Sequence, residues 1–410
     1  MTKFITPLAI ALLSTTALVA CSNADAQKTP STAPAATAPA ASGPVIAASA
    51  VINDSIDIAP VGDVTDVTDQ VSIETWIDDL DAPWGITFTA ADTALITQKS
   101  GEFFIYENGT LSQISNVPEV NDGGQGGLMD VTLDPNWPEE DWIYLSFSHP
   151  KTPGAGEAMT KVIRAKLRDG ALSGIETLFE AKPEDYVKRR HHFGSRITFD
   201  AAGHLYFSIG DRGIMADAQD ITKPNGKVHR INRDGSIPAD NPFVDDATAY
   251  ASIYSFGNRN PQGLIIHPDT DVLWSTEHGP KGGDELNVIR PGVNYGWPEI
   301  SYGINYNGTV LTEFTKKPGM AQPISQWTPS IAVCGLDVYK GDLFGDWDGA
   351  LLVGALAYEE IRLVRVDGER YKDEQIIMQQ EGRVRDVTVG PDGAIYAAVE
   401  DKILRLTPAK

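Results

Sequence analysis

The sequence is poor in cysteine, with only Cys21 and Cys334 among 410 residues, so a disulfide framework is excluded. It is also short of positive charge: 33 lysines and arginines stand against 56 aspartates and glutamates, a formal net charge of −23. Binding a nucleic-acid backbone needs a basic footprint, which argues against that class. Like-charge repulsion disfavours anionic membrane surfaces and polyanionic substrates as well, although a local basic pocket is compatible with the total. Helical periodicity is missing throughout residues 72–408. What is plentiful is glycine (38) and proline (26), hence turns, against an ordinary globular background of 42% hydrophobic and 22% charged residues. The length allows two or three domains or one large repeat-built domain.

Residues 1–20 read as an export signal: Lys3 gives a thin positive start, Phe4 to Ala20 is largely apolar, and small residues precede Cys21. Thr6, Pro7, Ser14, Thr15 and Thr16 interrupt the stretch, which falls short of the roughly 20 apolar residues of a membrane span. Leu18-Val19-Ala20-Cys21 resembles the lipobox of bacterial lipoproteins, in which the cysteine is acylated and becomes the new N-terminus; simple cleavage after Ala20 or Ala24 is the alternative. By that sorting pattern, Ser22 implies an outer-membrane, periplasm-exposed lipoprotein of the cell envelope. Residues 21–71 then form the lipidated cysteine and a tether rich in Ala, Pro and Thr, which buries too little apolar surface to offset its ordering entropy.

From Ser72 onward one unit recurs: an alternating apolar strand, a polar turn with Gly or Asp, and a second apolar strand. The copies are GITFTAADTALIT, DVTLDPNWPEEDWIYLSF, RITFDAAGHLYFSI, GLIIHPDTDVLWST, GLDVYKGDLFGDWDGALLVGA and DVTVGPDGAIYAAV. Their first inward positions are Ile86, Val131, Ile197, Leu264, Leu336 and Val387, spaced by 45, 66, 67, 72 and 51 residues. Six such copies predict an all-β, six-bladed β-propeller of four-stranded antiparallel blades over 72–410, with a β-sandwich as the competing reading. The longer gaps leave room for loops over one face.

The chemistry-bearing residues fall between the strand pairs. HHFGSR sets His191, His192 and Arg196 ahead of the third copy, and Asp211 closes its second strand. Paired histidines are often plain surface or core residues, and no further ligand at zinc spacing accompanies these two. A carboxylate beside an imidazole would fix its tautomer and raise its basicity. Alternation points His191 away from His192. YSFGNRNPQGL presents Arg259 and Asn260 before Pro261, as a site or as a structural turn. EHGPKGGDELNVIRPGVNYGWP combines Gly-rich turns, which expose carbonyls, with Asp284 and Glu285, hard oxygen donors of the kind Ca²⁺ prefers, though the spacing matches no EF-hand. In GRVRDV, Arg383 and Arg385 are two apart on an extended strand and so share a face, where two guanidiniums could bind a carboxylate-bearing ligand.

Together these segments resemble the soluble pyrroloquinoline-quinone (PQQ) dependent aldose sugar dehydrogenases, over about Pro83 to Leu406 and all six copies. The resemblance implies His192 as catalytic base with Asp211 as its partner, and Gln125 of NDGGQGGL, with Asp211, at the sugar. It implies Arg259 and Asn260 beside the quinone carbonyls, and Arg383 and Arg385 on the cofactor's carboxylates. Tyr306 and the Ala332–Cys334 segment correspond to cofactor-pocket positions. The carbonyls of Gly279 and Pro280 would hold a catalytic Ca²⁺, and Glu285 with the Tyr295 carbonyl a structural one. A lysine of the soluble glucose dehydrogenase has no counterpart here, where Ala357 stands in GALAYEE, and Pro-Ser is replaced by Val333-Cys334. Cys334 reads on its own as a small buried residue.

The implied reaction is oxidation of an aldose at C1 to an aldonolactone, with electrons passed to a quinone or cytochrome acceptor in the envelope. A Ca²⁺-dependent propeller lactonase and a non-catalytic glycan-binding lipoprotein are the alternatives. The first would need a carboxylate-rich ring and no arginine pair, and the second would be expected to lack His192 or Arg259.

Overall fold

A computed structural model describes residues 64–410, so the export signal, Cys21 and most of the tether lie outside the described residues. Six antiparallel sheets follow in chain order. Blade 1 comprises Pro83–Ala90, Thr93–Gln98, Phe103–Glu107 and Thr110–Gln113. Blade 2 runs from Leu128–Leu133 to Ala171–Phe179, blade 3 from Ile197–Phe199 to Ile253–Phe256, and blade 4 from Pro261–Ile266 to Ser325–Trp327. Blade 5 spans Val333–Val338 to Arg370–Gln379. Blade 6 takes Val384–Val389, Ile395–Val399 and Lys402–Pro408 from the C-terminus and borrows Val71–Ile77 as its outer strand, with Ile73 opposite Leu406. This exchange closes the ring, and the fold is the six-bladed propeller that the repeats predict. Four short 3₁₀ turns are the helical content of the described residues.

The six inward positions named above all lie on innermost strands. The second strands are buried on both sides, and so read as near-continuous apolar runs such as Leu351–Ala355 and Ile395–Val399. Polar side chains staple each blade to the next. Ser146 Oγ donates to the Ser195 carbonyl (2.5 Å), Ser208 Oγ to that of Pro261 (2.9 Å) and Thr276 Oγ1 to that of Cys334 (2.9 Å). Inner-strand aspartates do the converse: Asp130 accepts from Ile197 N (2.7 Å), Asp337 from Val389 N (2.9 Å) and Asp386 from Ile86 N (3.0 Å). Each such bond nets about 1 kcal/mol, but an orphaned buried donor or acceptor would cost about 1–3 kcal/mol.

At the centre Arg196 is buried between Asp130 (2.9 Å) and Asp386 (2.8 Å), donates to the Gln262 carbonyl (3.0 Å) and stacks on Trp84 (4.4 Å to the ring centroid). It thus ties together residues of blades 1, 2, 3, 4 and 6.

The expected boundary at Ser72 needs correction. Thr65–Asp66 add a parallel fifth strand to blade 5, Val67 N donates to the Ile376 carbonyl (2.9 Å), and Val67 and Val71 are buried in the core of blades 5 and 6. The packed domain therefore includes at least residues 64–71, where Val67 and Val71 supply apolar burial.

Candidate active site

In every blade the innermost strand begins, and the second strand ends, at the same edge of the sheet. His192, Arg259, Asn260, Ala332 and Arg383 precede inner strands; Asp211, Gly279 and Pro280 follow second strands; Gln125 lies just ahead of blade 2. The topology thus delivers all of them to one face.

His192 Nδ1 lies 2.6 Å from Asp211 Oδ1. Asp211 is buried and also accepts from Gly213 N (2.6 Å) and Trp297 Nε1 (2.8 Å). Burial works against its charge, but the His192 hydrogen bond prevails and lowers its pKa. Burial presses the His192 imidazolium down to a pKa of about 4, against the Asp211 hydrogen bond and with help from the Arg259 charge. The ring is thus neutral at ordinary pH, with Nδ1–H given to Asp211 and Nε2 left as a lone-pair acceptor. The His192 backbone has φ 58°, a left-handed conformation costing about 1–3 kcal/mol in a non-glycine residue. Its N–H donates to Gln125 Oε1 (2.7 Å), which holds that conformation in place.

His191 departs from the alternation expected of it. The histidines occupy a loop rather than a strand, and their rings meet edge to face at 4.6 Å. Period-2 logic applies only to extended backbone, which φ 58° interrupts.

Arg259 and Asn260 reach the same cluster. The Arg259 carbonyl accepts from Asp211 N (2.7 Å), its N–H bonds Glu277, and its Nη1 donates to the His278 carbonyl (3.1 Å). Its Nε is buried without a partner, and its guanidinium lies 5.3 Å from the Trp297 ring. Asn260 Oδ1 accepts from Gly194 N (3.1 Å), bracing the His192 loop. Arg385 Nη1 contacts Gln262 Oε1 (3.0 Å) and the buried Cys334 thiol (3.3 Å). The strand pairing slips between Val384 and Asp386, so the two arginines have different surroundings. Arg383 is exposed and opens onto a cleft of about 870 Å³ shared with Ile331, Ala357 and Tyr358. Both still act on half-buried His278, whose pKa falls well below the ordinary value through desolvation and then the charges of Arg259, Arg385, His192 and Arg383.

The expected metal positions divide. Gly279 sits where a Cβ would lie 2.2–2.3 Å from the carbonyls of Gly283 and Gly282, so only glycine permits this turn beside Pro280. Glu285 is opposite Glu277 in the ladder; burial raises Glu277 to about 7, and burial together with the Glu277 charge raises Glu285 to about 8. Asp284, read as a candidate oxygen donor, is already engaged: it accepts from Gly279 N (2.9 Å), Ala332 N (2.6 Å) and Ser330 Oγ (2.7 Å) and so braces the loop into blade 5. Tyr295 is buried, with its hydroxyl on the Val288 carbonyl (2.5 Å). Tyr306 is 72% exposed, on the long connection 289–324 of blade 4. Among the described residues no cluster of three or more His, Cys, Asp or Glu side chains is poised to hold a metal.

Four site residues escaped the sequence reading: Gln262, Glu277, His278 and Trp297. Gln262 Oε1 gathers His278 Nε2 (3.1 Å), Arg385 and Cys334, while Trp297 serves both Asp211 and Arg259. Each lies inside or beside a motif already quoted. The available signal was a polar residue embedded in a buried strand, as in Pro261-Gln262-Gly263.

A propeller with this face belongs to a definable class. The sequence profile of the glucose/sorbosone dehydrogenase family matches residues 80–407. The aldose sugar dehydrogenase YliI of Escherichia coli K12 is 37% identical over 349 residues, covering 82% of this chain and 93% of that protein. The apo crystal structure of the soluble E. coli aldose sugar dehydrogenase superposes with a TM-score of 0.79 at 36% identity, covering 83% of this chain and all of that one. The PQQ-bound aldose sugar dehydrogenase of Streptomyces coelicolor gives 0.67 at 25% identity, covering 83% and 98%. The chain is an oxidoreductase of the glucose/sorbosone dehydrogenase family.

Proposed function

We propose that this protein oxidises aldoses at C1 to aldonolactones, with PQQ and Ca²⁺ bound on the loop face. The observation that carries the reading is the His192–Asp211 couple, with Nε2 available and the unpartnered Arg259 Nε nearby. Its support from relatives is the name of the E. coli protein and the PQQ-bound form of the S. coelicolor one.

The residues fit the group. Arg259 donates to the His278 carbonyl and Arg385 shares Gln262 with the His278 ring, while exposed Arg383 adds its charge, so three guanidiniums are on offer to a polyanionic quinone. Burial pushes up the carboxyls of Glu277 and Glu285, and the Glu277 charge raises Glu285 further, a repulsion a cation would relieve. Arg383, Arg385, Arg259, Asn260, Ala332, Cys334 and Tyr306 would hold the cofactor. The Gly279 and Pro280 carbonyls would hold the catalytic Ca²⁺, with Glu285 and Tyr295 at the structural one. When bound, the cofactor supplies a two-electron acceptor for the C1 hydride, polarised by its metal. His192 Nε2 takes the proton of the anomeric hydroxyl as the C1–H bond breaks, and the electron pair left on that oxygen forms the lactone carbonyl. Asp211 holds the required tautomer and stabilises the imidazolium that forms. Gln125 lies beside the sugar. Arg259 offers its free N–H to negative charge developing in the site.

The enzyme would be displayed in the envelope as a periplasm-exposed, outer-membrane lipoprotein anchored through Cys21. Reduced cofactor would be reoxidised by a quinone or cytochrome.

The test is addition of PQQ and Ca²⁺ to the protein, with dye reduction followed over a panel of aldoses. Turnover that needs both, and a melting temperature raised by Ca²⁺ and restored to the starting value by chelation, are the expected results. Aldose-independent dye reduction, or no PQQ binding, would remove the reading.

A further inference from the structure

A run of three positive side chains at the site face is not absorbed by the chemistry above. Lys188, Arg189 and Arg190 directly precede the two histidines, and all three are exposed, in a chain of net charge −23. Lys188 faces Glu157 at 3.6 Å, whereas neither arginine is in a salt bridge among the described residues. Their stems are placed by glycines on either side of His192. The Arg189 stem lies against Gly213, two residues after Asp211, where a Cβ would come 3.0 Å from Arg189 Cδ. The Arg190 stem lies against Gly123, two residues before Gln125, with Cδ and Nε 3.2 Å from the corresponding point. The Arg190 carbonyl also accepts Gln125 N (2.8 Å), and that of Arg189 is held by the buried Arg212 Nη2 (2.6 Å), so the backbone carrying both guanidiniums is fixed. Asp211 is engaged with His192 and Glu157 with Lys188.

We propose that Arg189 and Arg190 are specificity-determining residues that select aldoses carrying an oxyanion away from C1, the carboxylate of a hexuronic acid or the phosphate of a sugar phosphate. The inference rests on the aldose-oxidising reading of the same site. A planar guanidinium fork matches either oxyanion, and two of them beside the base orient such a sugar with its anion outward and its anomeric hydroxyl toward His192. Local cations in a strongly acidic protein also concentrate anionic substrate where the global charge would repel it.

The experiment compares kcat/KM of the PQQ- and Ca²⁺-loaded protein for glucose, glucuronate and glucose 6-phosphate, in wild type and in Arg189→Gln/Arg190→Gln. At least one anionic sugar is expected to exceed glucose roughly tenfold and to lose that advantage in the double variant through KM, with glucose unchanged. Whichever anion shows the effect identifies the source. Calorimetry with methyl glucuronide and glucose 6-phosphate on unloaded protein gives a readout independent of turnover, and binding to wild type but not to the variant supports the assignment. Equal kcat/KM for all three sugars, or an anionic preference that survives the substitutions, overturns it. Absence of turnover with every sugar, glucose included, would instead remove the dehydrogenase reading, while the calorimetry still decides whether the two arginines bind an oxyanion.

Discussion

Two buried pairings of aspartate with a nitrogen base sit in one propeller and do opposite things. At the centre, Arg196 is enclosed by Asp130 and Asp386, backbone carbonyls and the Trp84 ring. On the loop face, His192 gives one nitrogen to Asp211 and keeps the other, on a left-handed backbone, beside an arginine with an unpartnered Nε. Full satisfaction makes the first a clasp between blades. Incomplete satisfaction leaves the second the spare hydrogen-bonding capacity that the proposed chemistry requires. Burial and charge are common to both, so what separates structure from chemistry here is the hydrogen-bonding capacity left unused.

The largest expected effects test that division directly. Arg196→Met leaves Asp130 and Asp386 buried without a cation, when burial already raises the Asp386 carboxyl to about 7. A loss of about 3–5 kcal/mol is expected in urea unfolding, the usual cost of breaking a buried pair. His192→Ala should cost less in unfolding, about 1–3 kcal/mol, because Asp211 keeps Gly213 N and Trp297 Nε1, while lowering kcat by roughly 10²–10⁴, the contribution of a positioned base. Were the two substitutions to exchange phenotypes, the distinction between clasp and reagent would be wrong.

A second comparison sets Arg385, held by Gln262 and Cys334, against the exposed Arg383. A charge-assisted contact is worth about 1.5–3 kcal/mol, so Arg385→Ala should weaken PQQ binding by roughly 10- to 150-fold. Saturating PQQ should then restore much of the turnover. Arg383→Ala should cost less, because solvent screens an exposed charge. Titrating PQQ into each variant measures both, and a larger loss for Arg383 would mean that the cofactor lies toward the blade 5 cleft.

The sequence made the repeat legible because period-2 alternation is local, and every inward position it predicts lies on an inner strand. That the His191-His192 segment and Asp211 meet was legible for a related reason, since repeat ends share one edge of a blade, but the choice of His192 as base came from the family resemblance and not from the spacing. Trp297 was not legible, since it reaches Asp211 from 86 residues away through a connection with no periodicity. Nor was the occupation of Asp284, a candidate oxygen donor whose partners Ser330 and Ala332 lie 46 and 48 residues on. The domain boundary was misjudged because Val67 and Val71 are two isolated apolar residues, and only the assembled edge of blades 5 and 6 shows what they cover.

The pH profile sharpens the comparison further. An ordinary histidine near 6.5 would protonate just below neutrality, but burial holds His192 to about 4. Only the neutral ring can accept a proton, so kcat/KM should stay level from pH 7 to about 5 and fall as pH drops through about 4. Asp211 raises the His192 value by its hydrogen bond and charge, so Asp211→Asn should move the acid limb still lower while reducing kcat. An acid limb near 6.5 in the wild type would show that His192 is not the group being titrated.

The smallest effect expected is at His191. Its ring meets that of His192 edge to face at 4.6 Å, and its own pKa is lowered, chiefly by burial and then by Arg212. Such a ring pair is worth about 0.5–1.5 kcal/mol, enough to steady the His192 ring but not to replace its proton transfer. His191→Ala should therefore reduce kcat by no more than about tenfold, leave PQQ binding intact and leave the acid limb nearly in place. His191→Phe, which restores an aromatic edge without a titratable nitrogen, should recover most of the loss. If His191→Ala removed turnover and His191→Phe failed to restore it, the proton acceptor would be His191, and Asp211 would be orienting the neighbour of the base rather than the base itself.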